Sequence, residues 1–138
     1  MPPTRVLLAG LAGGMVSVFT SWLLVGVIFH RFQARTPATW RPGEGRAQYA
    51  RSSGLTILAA LVIATTFFLT GAIALGHGSW LAAGLAFGTL VWGALALPII
   101  LDVALYVNLH RGFVVGLLVN WLVVCLICST AAAAAMRR

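Results

Sequence analysis

The chain has 138 residues, of which 61% are hydrophobic and only 8% are charged. A water-soluble domain carries roughly 25% charged residues, so a chain this apolar cannot cover a water-facing surface and reads as an integral membrane protein. Its net charge of +7 comes entirely from arginine, and no aromatic–basic interleaving of the kind an RNA-binding surface needs is present. Nucleic acid is therefore not expected as a partner. Anionic lipid headgroups are the nearer match for arginines that flank apolar runs.

A membrane-crossing helix needs about 20 mainly apolar residues. Four such runs occur, at about 6–29, 54–75, 79–109 and 113–135. None alternates apolar with polar residues as a barrel strand would. The predicted fold is all-α: a single membrane domain, folded as an up-down four-helix transmembrane bundle.

The first run is longer than the about 7–15 residues of a signal h-region. It is followed by "HRFQARTP" rather than a small-residue cleavage site, so it reads as a retained span. Ala9, Gly13, Ser17 and Ser21 recur along it as a stripe of small residues.

Next comes a long connection, "HRFQARTPATWRPGEGRAQYARSS", rich in arginine and broken by Pro37, Pro42, Gly43 and Gly45. It carries Arg31, Arg35, Arg41, Arg46 and Arg51. Arg111 lies on the same side, in the turn between the third and fourth runs. These six are the candidate headgroup contacts. By the positive-inside rule they place the long loop in the cytoplasm and both termini outside a bacterial inner membrane. "EGRAQYARSSG" could form an interfacial helix before the second run.

Only "GHGS" separates the second and third runs. Its glycines allow a tight turn, Ser79 is a candidate N-cap, and Trp80 sits where an interfacial aromatic belongs. The third run contains Pro98, which should kink it. It also holds Asp102, one of only two acids in the chain, the other being Glu44. An ionisable group inside a membrane span is a functional candidate by default. Steps of four carry Asp102 to Tyr106 and His110, so the three should form a polar stripe on one helix face. That stripe could relay protons or hold an ion or substrate. Alternatively Asp102 pairs with an arginine of the long loop and serves the fold.

Gly10 and Gly14, Gly84 and Gly88, and Gly112 and Gly116 form three GxxxG pairs, and Asn120 continues the last row. Close contact at small residues drives helix association in lipid, and an asparagine can bond across helices. These rows could pack one bundle or form a homodimer seam.

Cys125 and Cys128 are spaced as CxxC. They lie within the fourth apolar run with no charge near them in sequence, and read as small buried residues rather than a redox or metal pair. Haem would need axial ligands on facing helices at similar depth, and His30 with His110 is the one pair that could supply them. Otherwise no cofactor and no metal site is expected. Walker, GxGxxG, HExxH and GxSxG patterns are absent, so no catalytic residues are assigned and the chain is not read as an enzyme.

The stretch "GLAFGTLVWGALALPIILDVALYVNLHRGFVVGLLVNWLVV" resembles the closing region of the bacterial domain of unknown function seventeen-sixty-one. The positions that carry the resemblance are Gly88, Trp92, Gly93, Pro98, Arg111 and Trp121, with Trp40 as the loop tryptophan of the first half. The resemblance implies a short four-span architecture and supplies no activity. Small multidrug transporters are also short and four-span, but their essential acid lies in the first helix, where this chain has none.

The leading functional expectation is a small structural or accessory membrane protein in a homo-oligomer or larger membrane complex. The alternative is a small transporter or proton/ion-coupled carrier using Asp102. A third is a haem- or quinone-associated accessory subunit.

Overall fold

The computed structural model describes residues 3–39 and 45–137. Four helices are each long and apolar enough to cross a membrane: α1 (Pro3–Ile28), α2 (Arg46–Leu69), α3 (Trp80–Tyr106) and α4 (Arg111–Met136). Among the described residues there is no strand. Large side chains such as Leu8, Met15, Phe19 and Leu69 face outward, a surface that suits lipid and not water. The architecture is compatible with a multi-pass membrane protein.

The helix ends show where apolarity and helicity part. α2 starts at Arg46, where the Gln48 side chain accepts the Gly45 N–H at 2.9 Å. The segment expected to form a separate interfacial helix is instead the first turns of α2. The second apolar run extends to Leu75, but the helix stops at Leu69. There the Thr70 hydroxyl donates to the Thr66 carbonyl at 2.7 Å, and Gly71 turns left-handed with φ +63°. Ala72–Gly76 is a 3-10 turn that leads to Ser79. Ser79 caps α3 as its sequence position suggests, its Oγ accepting the Ala82 N–H at 3.3 Å.

α3 ends at Tyr106, three residues before the expected boundary, because Val107 is extended and the chain must reverse into α4. Within α3, Trp92–Ala96 winds as a π-helix and Pro98 follows. Proline lacks the N–H that an α-helical turn would donate four residues back. The preceding turn loosens, and the Leu97 N–H reaches five residues back to Trp92. The Trp92 Nε1–H donates to the Leu118 carbonyl at 3.0 Å and pins this loosened turn to α4. A second π segment, Trp22–Ile28, ends α1, with the Phe29 N–H bonded to the Leu24 carbonyl at 2.8 Å.

Packing runs through small residues. A Cβ on Gly10 or Gly14 would lie 3.0 Å from Leu61 Cα or 3.1 Å from Ile57 Cα, both in α2. A Cβ on Gly13 would lie 3.2 Å from Cys128 Cα in α4. α1 therefore wedges between α2 and α4. Likewise Gly84 lies against Thr130, and Gly88 against Cys125 and Leu126. Rising numbers on one helix meet falling numbers on the other in α1–α2 and α3–α4, and in α1–α4 Gly13 reaches Ala131 while Ser17 reaches Cys128, so all three pairs are antiparallel. α4 contacts all three other helices, and its Val124, Cys125 and Cys128 are buried. The two cysteines are free thiols packed as small core residues. Away from the loop side, Phe67 and Phe87 meet edge to face, 5.2 Å between centroids, and close α2 onto α3.

Asn120 is buried, as its place in the glycine row suggests, but its Oδ1 has no hydrogen-bond partner, so the expected interhelical bond to that oxygen is not made. Ser21 Oγ and Ser129 Oγ are also buried and unpartnered.

Gly88 and Gly54 make a test of this packing. A Cβ on Gly88 would stand 2.8 Å from the Cys125 carbonyl oxygen, whereas one on Gly54 meets nothing within 4 Å. Gly88→Ala should lower stability by about 1–3 kcal/mol because backbone must move. Gly54→Ala should be neutral or stabilising by about 0.4–1 kcal/mol. Reversible unfolding of the two variants in mixed micelles measures both signs.

Candidate functional site

The candidate residues fall into two groups on the loop side of the bundle. Asp102 and Tyr106 sit four residues apart in the last turns of α3, on one face and exposed; Tyr106 is 84% exposed. Among the described residues Asp102 forms no ion pair and no hydrogen bond, so the expected pairing with a loop arginine is not seen there. His110 does not continue the stripe. The helix ends before it, and four-residue spacing no longer keeps side chains on one face. The polar stripe is two residues long.

Residues 97–106 lean away from α4. Ile99, Leu101, Leu105 and Tyr106 are all exposed, and only Ile100 is buried. The loosened turn and Pro98 explain this departure, since each removes backbone constraint at the same point.

His110 belongs to the second group, a strap of residues 29–39 that folds back from α1 onto the start of α4. Phe29 lies on Gly116 and Phe32 on Gly112. Phe32 stacks on the His110 ring with centroids 5.1 Å apart. Arg31 and Arg35 lie over the Phe32 ring at 4.8 and 5.4 Å, cation–π geometry. The Thr39 hydroxyl donates to the Asn108 carbonyl at 3.0 Å. His110 itself caps α4, its Nδ1 accepting the Gly112 N–H at 3.1 Å. A neutral imidazole offers one lone-pair nitrogen. With Nδ1 accepting, Nε2 carries hydrogen, and Arg35 Nη1 at 3.4 Å from it is a packing contact.

His30 is exposed in the short helix His30–Gln33. Among the described residues no group of three or more His, Cys, Asp or Glu side chains could hold a metal ion.

All six GxxxG glycines are occupied within the chain. Gly10 and Gly14 hold α2, Gly84 and Gly88 hold α4, and Gly112 and Gly116 hold the strap phenylalanines. The last pair was legible as a packing row, but its partner was not, because "FHRFQ" reads as polar loop. The candidate headgroup contacts Arg31, Arg35, Arg46, Arg51 and Arg111 are all exposed. Arg41 lies outside the described residues, as do Trp40, Glu44 and Arg138.

Comparison with family models, with curated proteins and with solved structures returns no match for this chain.

Phe32→Ala should release the strap. The lost ring contacts correspond to about two- to tenfold faster hydrogen exchange at the Ala34 and Thr36 amides, with α2 amides unchanged. Exchange measured by mass spectrometry on the detergent-solubilised chain checks this.

Proposed function

We propose that the chain is a small, non-enzymatic structural or accessory protein of the bacterial cytoplasmic membrane. It works in a homo-oligomer or larger membrane complex, with the Arg-rich loop in the cytoplasm and both termini outside. Kinship with the four-span proteins that its second half resembles is part of the proposal.

The observation that carries the reading is the C-terminal half of α3. It leaves the bundle and presents Leu101 and Leu105 outward, on the side away from α2, with Leu105 80% exposed. The six GxxxG glycines are buried in intrachain contacts or covered by strap rings, so association would run through this half-helix and not through a glycine seam. Pull-down in mild detergent should recover a constant partner or a defined oligomer, and Leu105→Arg should abolish it while leaving insertion intact. A clean monomer at every concentration would sink the proposal.

The carrier reading keeps one specific support: Asp102 is exposed and has no partner among the described residues. Asp102→Asn should leave yield and thermal stability unchanged, since no ion pair among the described residues is lost. A carrier would lose proton-linked uptake in that variant. If yield falls instead, Asp102 serves the fold.

A further inference from the structure

α2 and α3 touch at the end distant from the Arg-rich loop and diverge toward it. Between them lies a groove of about 480 Å³. Leu55 and Val62 form one bank, Leu95 and Ile99 the other, and Trp121 of α4 lies in the floor. The lining stops at Ile63 and Val91; one turn further, the Phe67–Phe87 contact shuts the groove.

Its length is informative. Leu55 to Ile63 is eight helical steps, or about 12 Å of rise. One leaflet of a hydrocarbon core is about 15 Å deep, half of about 30 Å. A partner helix would need a channel along the whole span, whereas this one opens toward the loop side and is closed one turn beyond Ile63 and Val91. An acyl chain has the matching length and chemistry.

The open end is charged on both banks. Positions 51, 55, 58 and 62 share one face of α2, so Arg51 stands on the groove side one turn before Leu55. Positions 95, 99, 102 and 106 share one face of α3, which puts Asp102 and Tyr106 just beyond Ile99. Counting equal helical rise away from the Phe67–Phe87 contact on these two antiparallel helices sets Ile63 level with Val91 and Leu55 level with Ile99. Continuing that register brings Arg51 and Asp102 to the same depth on opposite banks. Both are exposed, and neither has an ion-pair or hydrogen-bond partner among the described residues.

We propose that this groove binds one acyl chain of a phospholipid from the loop-side leaflet. Arg51 receives the phosphate, and Asp102 receives a primary ammonium on the same headgroup. A glycerol headgroup would leave Asp102 without a cation, and a choline headgroup has no N–H to donate to the carboxylate. The chemistry therefore selects an ethanolamine phospholipid. The proposal rests on membrane insertion and not on a protein partner, whose surface on Leu101 and Leu105 faces the other way.

Trp121 supplies the readout. The full chain is placed in nanodiscs of unlabelled lipid containing a small fraction of phospholipid brominated in mid-chain. Its headgroup is ethanolamine, choline or glycerol. Quenching at Trp121 is the difference between wild type and Trp121→Phe. The ethanolamine lipid should quench about two- to fivefold more effectively than the glycerol lipid, the ratio for an exposed charge pair. Asp102→Asn should erase that preference, Arg51→Gln should weaken all three lipids, and Ala59→Phe, which fills the groove, should remove quenching by any of them. Equal quenching by the three headgroups, or a preference that survives Asp102→Asn, overturns the assignment. So does absence of quenching accompanied by disulfide cross-linking between copies carrying Leu58→Cys, which would show a second chain in the groove.

Discussion

The fold depends on how closely α4 is approached by the other helices. In lipid there is no hydrophobic gain from bringing two apolar helices together, so contact area and short range must do the work. Gly13, Gly84 and Gly88 let α1 and α3 come close to the α4 backbone, where an added methyl group would press on Cys128 and collide with Thr130 or Cys125. The small residues on the α4 side, Cys125, Cys128, Ala132 and Ala133, keep those approaches free of bulk. The CxxC spacing is a packing feature of this surface: both sulfurs are buried, and Cys128 lies 3.4 Å from the Ser17 hydroxyl.

Such tight approach is possible only along straight sections, which gives the breaks in α1 and α3 their importance. α1 loosens at Trp22, just past its glycine-lined section, and the chain then carries Phe29 and Phe32 onto Gly112 and Gly116. α3 loosens at Trp92, just past Gly88, and its last ten residues swing out. Both breaks lie toward the loop side. The bundle is therefore closely packed away from the Arg-rich loop and more open near it. The strap fills the opening on the α1 side; the α2–α3 side stays a groove.

Much of this was legible in the sequence, and the rest was hidden for identifiable reasons. The four spans follow from apolar length alone, and Ser79 follows from the preference of hydroxyls for N-caps. The end of α2 did not follow: "GAIAL" is as apolar as the helix before it, and only the left-handed Gly71 ends the run. The π turn before Pro98 is a backbone adjustment that hydropathy does not register, although the proline itself was a visible warning. His110 was misplaced on a stripe because counting in fours assumes a continuous helix, and Val107 breaks it. The partner of the Gly112–Gly116 row was missed because its two phenylalanines stand among arginine, glutamine and histidine.

The two loop-side groups follow opposite electrostatic logics. His110, Arg31 and Arg35 are gathered around one phenylalanine ring, with the Gly112 N–H on the His110 Nδ1 and no acid among the described residues beside them. Asp102 has neither ring nor cation within the described chain, although five exposed arginines stand on the same side of the bundle. The strap arginines turn onto Phe32 instead. The separation follows from Pro98, beyond which α3 carries Asp102 away from α4 and the strap. The residue that bends the helix thus decides which surroundings its carboxylate meets: the exposed end of α3 and not the cluster around Phe32 and His110.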